Sequence, residues 1–444
     1  MKLTTRILLI SCLIFWMLSP LFGLDVGGAL DNTTELKRTN TTKWTQRDRL
    51  SLWLEADMGE HVSFSIHGNS LFSIDEPNFL FDLDYLILEG QFPHFIGEQS
   101  LFAFKFGRFR VSDFTRNVLD HNADGIDLAL SLPSVSISAS IGTTMLLFEH
   151  SSNIIMSKGD YLDSESDDQL LAPSRLVGTV GITFPELLLG QTLNLAFLYQ
   201  FDLRQSQDLV PEGATSLSAE GGSVTSQYSG IGLSGTIAPS LYYDSFFYLG
   251  TGSMLSYVGG SYNYELMLSY LFGAGVRLYM EEALYSKIEL RFLFASGDED
   301  YTSDFYEGNT SGTAGTFVPI SSPTLALVFS PALGNIFLFD LSYSIKPFSK
   351  SGSLAMENFQ TMLKGLMFFR ASTGLLSEPF TNRASEALYL GTEIDVILNF
   401  RPFSDLGMAL SYGIFIPNSG PDGAFFEDVR EIEMLGRFEL SISF

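Results

Sequence analysis

The chain has little cysteine, tryptophan, histidine or positive charge. Its 444 residues include one cysteine (Cys12), three tryptophans and five histidines, and only 17% are charged. A single cysteine excludes a disulfide-stapled scaffold. Lys and Arg number 25 against 51 Asp and Glu, and this net charge of −26 excludes a basic nucleic-acid-binding surface. Long apolar runs are missing too. Ile7–Leu18, interrupted by Ser11 and Cys12, falls short of the roughly 18–20 residues a membrane-spanning helix needs. No phosphate-binding glycine loop or metal-ligand spacing is present, so no cofactor or metal is expected. What the chain does have is apolar bulk. With 45% hydrophobic residues, 39 Phe and 18 Tyr, it is not intrinsically disordered.

Lys2 and Arg6 precede the N-terminal apolar run, and Ser19-Pro20-Leu21-Phe22-Gly23 ends it. Residues 1–23 read as a secretory signal peptide cut near Gly23. A rival reading takes Leu9-Ile10-Ser11-Cys12 as a lipobox, but cleavage there leaves too short an apolar core. Loss of 1–23 removes Lys2, Arg6 and Cys12 and no acid. Residues 24–44 read as a short polar periplasmic lead-in, and 45–444 as one domain.

That domain alternates with period 2, the signature of strands with two unlike faces. Between Thr192 and Arg204, Leu193, Leu195, Phe197, Tyr199, Phe201 and Leu203 alternate with Asn194, Gln200, Asp202 and Arg204. Ile288, Leu290, Phe292 and Phe294 alternate with Lys287, Glu289 and Arg291. Candidate strands cover 47–57, 61–75, 78–89, 100–110, 123–132, 134–148, 174–184, 191–204, 225–237, 241–257, 262–279, 284–296, 334–346, 359–373, 386–401, 406–416 and 430–444. Most are longer than soluble strands, and they match the roughly 9–11 residues of a tilted transmembrane strand. Segment 315–329 is an eighteenth candidate. Counting it as a spanning strand would put two long loops on opposite sides of a membrane, so it belongs inside loop 297–333. Only a closed barrel can place such strands in lipid. Because bacterial single-chain barrels have even strand numbers, the seventeen candidates miss or overcount one N-terminal strand, and the expectation is an all-β, transmembrane, antiparallel up-and-down barrel of 16 or 18 strands, with 18 preferred. Long polar loops fall at 149–172, 205–224, 297–321, 374–385 and 417–429, on the side expected to face outwards.

Three patches carry a family resemblance. The end of the chain, Phe438-Glu439-Leu440-Ser441-Ile442-Ser443-Phe444, resembles the terminal strand of outer-membrane barrels. That resemblance implies an assembly signal formed by Phe438, Leu440, Ile442 and Phe444 and read by the barrel-assembly machinery. Leu390-Gly391-Thr392-Glu393-Ile394-Asp395 with Tyr412-Gly413-Ile414-Phe415-Ile416-Pro417 is similar to the closing hairpin of alginate-export-type barrels and their porin relatives. Gly107-Arg108 with Asp113 and Asp124-Gly125, and Ser296-Gly297-Asp298 with Phe317-Val318-Pro319, are similar to the same group. The resemblance implies an 18-stranded outer-membrane barrel that passes hydrophilic solutes or polysaccharide. One departure matters. The alginate exporters have an arginine-rich lumen, whereas the inward parity here is net acidic, so a polyuronate substrate is not carried over.

The polar parity supplies the candidate pore-lining residues: Asp82, Asp84, Lys105, Asp127, Asp202, Arg204, Lys287, Glu289, Arg291, Asp340, Glu393, Asp395, Arg401, Glu431, Glu433, Arg437 and Glu439. Lys346 shares that parity. Charges on the inner face of a closed barrel point to water or solute inside it. The opposed reading is that mixed signs, as in Lys287, Glu289 and Arg291, pair across a plugged lumen. Arg108 and Arg110 fall on the lipid parity set by Phe102, Phe104 and Phe106, which calls for a bulge or strand end there. The acidic loops read as solvated rather than as Ca²⁺ sites. Tyr242, Tyr243, Phe246, Phe247, Tyr248, Tyr257, Tyr262 and Tyr264 read as girdle and lipid face. No Ser/His or Asp/His set supports catalysis. The expectation is therefore a porin-like channel, not an enzyme, in the outer membrane of a diderm bacterium. It would pass small hydrophilic solutes with a weak cation preference. A fatty-acid-type transporter and a surface adhesin on a barrel anchor are the alternatives.

Overall fold

The computed structural model describes residues 23–74, 79–145, 152–157, 159–160, 174–188, 190–204, 222–300, 309–310, 312–374, 376, 381–382, 384–426 and 430–444. The expected signal peptide, Cys12 included, and much of the long loops lie outside them, apart from Gly23.

Eighteen strands follow one another along the chain: β1 (Leu24–Arg38), β2 (Thr42–Asp57), β3 (Val62–Ser73), β4 (Leu80–Pro93), β5 (Leu101–Ser112), β6 (Asp120–Ser131), β7 (Ser136–Thr143), β8 (Arg175–Leu188), β9 (Gln191–Asp202), β10 (Thr225–Ala238), β11 (Leu241–Val258), β12 (Ser261–Met280), β13 (Ser286–Ala295), β14 (Ile336–Ile345), β15 (Gln360–Arg370), β16 (Tyr389–Phe403), β17 (Leu406–Pro417) and β18 (Glu433–Ser443). Each pairs antiparallel with the next, and β18 closes on β1 from Ala29↔Ser443 to Arg38↔Met434. Closure leaves no strand at an open end of the sheet, which an apolar surrounding demands. A single helical turn at Leu354–Glu357 lies between β14 and β15.

The two faces differ as the alternation requires. In β14, Phe339, Leu341 and Tyr343 are exposed, while Leu338, Asp340, Ser342 and Ser344 are buried. Phe438 and Ile442 are likewise exposed on the outer face, and Phe444 follows β18 with 71% of its surface exposed.

Residues 24–38, expected as a lead-in, instead form β1, and this strand brings the count to eighteen. The misreading has a physical cause. Val26, Leu30 and Leu36 are exposed on the outer face, but Asn32 and Thr34 interrupt their row. Asn32 Nδ2 donates to Asp48 Oδ1 at 2.6 Å, which satisfies both side chains locally. Segment 315–329 lies in the connection between β13 and β14, as expected.

Strand alternation puts the connections 58–61, 94–100, 132–135, 189–190, 239–240, 281–285, 346–359 and 404–405 at one rim, together with both ends of the barrel. The strand ends that the long connections 144–174, 203–224, 296–335, 371–388 and 418–432 join lie at the opposite rim. Hairpin β5–β6 behaves differently from the wall around it. Its pairing with β4 stops at Arg108 and its pairing with β7 at Asp124, whereas β5 and β6 stay paired to Ser112↔Asp120. Gly107 and Gly125 face each other where the hairpin leaves the wall. Gly107 has φ +116°, and a Cβ on either glycine would sit 2.0 Å from a backbone oxygen of the neighbouring strand. Only glycine fits this close approach.

Candidate functional site

The departing hairpin explains Arg108, which the alternation had placed on the wrong face. Arg108 is buried, grips Asp124 through Nε (2.8 Å) and Nη2 (2.9 Å), and donates Nη1 to Leu83 O at 2.9 Å. Asn122 Nδ2 donates to Asp84 O at 3.3 Å. These side chains satisfy β4 carbonyls where the hairpin has left the wall. Its tip crosses the interior. The Phe114 ring stacks on Tyr248 of β11 at 5.4 Å and fills the space over Gly232 of β10, while Tyr248 Oη donates to Asp113 Oδ2 at 2.8 Å.

Segment 314–335 crosses the same interior. It pairs with the free edge of β12, where Ala314 exchanges bonds with Leu266 and Leu268. It then accepts the Tyr228 hydroxyl of β10 at Val318 O. At the hairpin tip, Ile320 N and Ser321 N donate to Val118 O, and Ile155 N donates to Ile320 O. Phe317, Ile320, Leu325, Val328, Phe329 and Leu333 share one buried cluster with Leu198, Leu271, Leu338, Leu366, Phe368 and Phe415 of the wall. The long-loop half of the interior therefore holds packed protein. Tyr248 and Phe246 point into it and correct the expected girdle assignment; Phe247 between them is exposed.

The inner wall carries a ribbon of ion pairs. Asp244 of β11 meets Arg277 of β12 (2.7 Å), Lys287 meets Glu289 (2.7 Å), and Arg291 meets Asp340 (3.0 Å). Lys364 of β15 lies 3.7 Å from the same Asp340 and cross-strand from Asp395. Arg437 meets Glu35 at 2.6 Å, and Glu439 faces Thr33. Lys105 lies cross-strand from Asp127. Asp82 is buried, and both Asp84 oxygens accept Asn69 Nδ2 at 2.9 Å. Arg401 donates to Ser404 O near the short-turn rim.

Other expected wall residues do different work. Asp202 and Arg204 join Arg175 and Asp160 in a buried network that also accepts Val224 N at 3.0 Å. Asp160 had been expected in a solvated loop; its burial corrects that. Glu431 precedes β18 and is exposed, and Glu433 holds Arg430 at 2.7 Å. Glu393 is fully buried, its two oxygens accepting Val328 N and Phe329 N, each at 2.8 Å.

The sequence reading missed Asp31, Glu35, Arg47, Arg49, Arg175, Asp244, Arg277 and Lys364. Alternation was signal enough for Arg47 and Arg49, which precede the outward Leu50 and Leu52. With them the inner face is less acidic than expected. Cavities lie between the crossing segments and the short-turn rim. One, of about 550 Å³, is lined by Arg47, Arg49, Arg401, Asp31 and Glu439. Another, of about 370 Å³, lies beneath the hairpin tip among Thr115, Asn117, Asp244, Arg277, Glu289 and Arg291.

In the long connection, burial raises the Asp298 carboxyl above its usual range, reinforced by Asp300, against the Gly315 N–H (2.8 Å) and Asn309 Nδ2 (2.7 Å) that favour the anion. Among the described residues, no three acidic, His or Cys side chains gather as metal ligands.

No protein family and no curated protein matches the chain. Solved structures do. Pseudomonas aeruginosa OccK3 (OpdO) is 15% identical, with 95% of this chain and 96% of that one covered at a TM-score of 0.54. OccK11 (OpdR) of the same organism is 12% identical over 95% of both chains, TM-score 0.56. Its OpdQ is 10% identical over 95% and 99%, TM-score 0.54. These likenesses establish a shared closed-barrel fold. They do not support the narrower resemblance to alginate-export-type barrels.

Proposed function

We propose that the protein is an outer-membrane channel for passive passage of small hydrophilic solutes, with its short-turn rim towards the periplasm. One observation carries this reading: a closed barrel with an apolar outer face encloses a charged, ion-paired wall around cavities that charged side chains line. Exposed charge on the inner face of a closed barrel points to water or solute inside it. The fold shared with the Occ and Opd structures supports the same reading. We retain a weak cation preference, supported by the net charge of −26. Pairing of wall acids with Arg and Lys keeps it small. The outward row of Phe438, Leu440 and Ile442, with Phe444, supports its proposed role as the assembly signal.

Swelling of liposomes carrying the refolded protein tests the proposal. Entry of small sugars and amino acids is expected, at rates that fall with solute size. Fatty-acid binding without solute entry would replace it with the hydrophobic-transporter reading.

A further inference from the structure

The segment that crosses the interior ends on a built anchor. Val328 N and Phe329 N are consecutive amides, and each donates to a different oxygen of Glu393 at 2.8 Å. Glu393 projects inward from β16, fully buried, between Leu366 and Phe415 in the ladder. Phe329 stacks on Phe415 at 4.3 Å and meets Phe368 edge-on at 4.9 Å, with the Arg430 guanidinium 4.8 Å from its centroid. The wall leaves room for this seat. A Cβ on Gly413 of β17 would come within 2.7 Å of Val328 and 3.0 Å of Leu327. The far end of the segment is held at β10 by Tyr228 and at the β5–β6 hairpin by Val118.

From this geometry we infer that Glu393 is a positioning residue. Its carboxylate seats residues 325–329 against β16 and β17, so that the segment stays drawn across the lumen and sets the largest solute that passes. The inference rests on the channel reading. A carboxylate suits the task because it accepts two adjacent N–H donors at once, and charge-assisted bonds in a dry site are strong. Loss of the carboxylate leaves both amides buried without a partner, which favours release of the segment.

The test compares wild type with Glu393→Gln and Glu393→Ala in liposome swelling and single-channel recording. Heat-modifiable gel mobility reports the folded barrel. Glu393→Ala is expected to raise conductance about twofold or more and to admit larger sugars, the order expected when a chain segment leaves a lumen of this size. Glu393→Gln, which keeps one acceptor oxygen, should fall between. Phe329→Ala weakens the same seat without touching the wall and should shift the cut-off the same way, even if Glu393→Ala fails to fold. A folded Glu393→Ala or Phe329→Ala with wild-type conductance and cut-off would overturn the inference. A wild type that passes nothing while Glu393→Ala conducts would uphold the anchor and overturn the channel reading. Impermeability of both would overturn both.

Discussion

The Gly107–Gly125 hinge makes a demanding prediction. A methyl group at Gly107 would lie 2.0 Å from Leu86 O. Carbon–oxygen contact therefore forces a shift of at least about 1 Å. Alanine at φ +116° also carries a backbone cost of about 1–3 kcal/mol, which favours rotation away from the present geometry. Neighbouring strands stand about 4.8 Å apart, so a 1 Å shift at the hinge turns the hairpin by about 12°. Phe114 lies about 20 Å further along at strand rise, so the tip should move about 4 Å. That takes its ring off Tyr248, now at 5.4 Å, and away from Gly232. Spin labels on Thr115→Cys and Ser234→Cys, with Cys12→Ala, report the distance across the second cavity. Gly107→Ala should displace or broaden it by about 4 Å. An unchanged distance in the folded variant would refute the account of the hinge.

Other parts of the wall are as open to test. Arg175→Ala leaves the buried Asp160 and Asp202 with Arg204 as their one remaining cation in the network and should cost about 3 kcal/mol, read as earlier thermal unfolding. Because the Asp298 carboxyl is raised, the folded loop keeps its proton to higher pH than the unfolded chain does. Stability is thus fully present below about pH 3.8 and falls as pH rises through the raised value. Hydrogen exchange at Gly315, corrected for intrinsic rates, should show this loss of protection, and Asp298→Asn should flatten it. Arg47→Glu with Arg49→Glu reverses the exposed cations of the larger cavity and should move the reversal potential towards cations. An unmoved potential would place the ion path elsewhere.

Much of the barrel was legible because lipid and lumen impose opposite chemistry on alternate residues, as in Lys287–Phe294. β1 was not, because its outward row is broken by a locally satisfied Asn32–Asp48 pair. Inward parity alone does not separate a watery pore from a packed lumen. Leu338, Leu366, Phe368 and Phe415 face inward yet are apolar, because what they meet is the protein's own loop. Glu393 read as pore-lining for the same reason, as its partners Val328 and Phe329 lie more than sixty positions away. Arg108 gave a true warning: a cation on the lipid parity marked where the hairpin leaves the wall.

Planar-bilayer recording of the purified, folded protein tests the central claim most directly. The account predicts discrete conductance steps and, in a salt gradient, a small reversal potential leaning towards cations. A folded barrel that inserts and carries no current would contradict it.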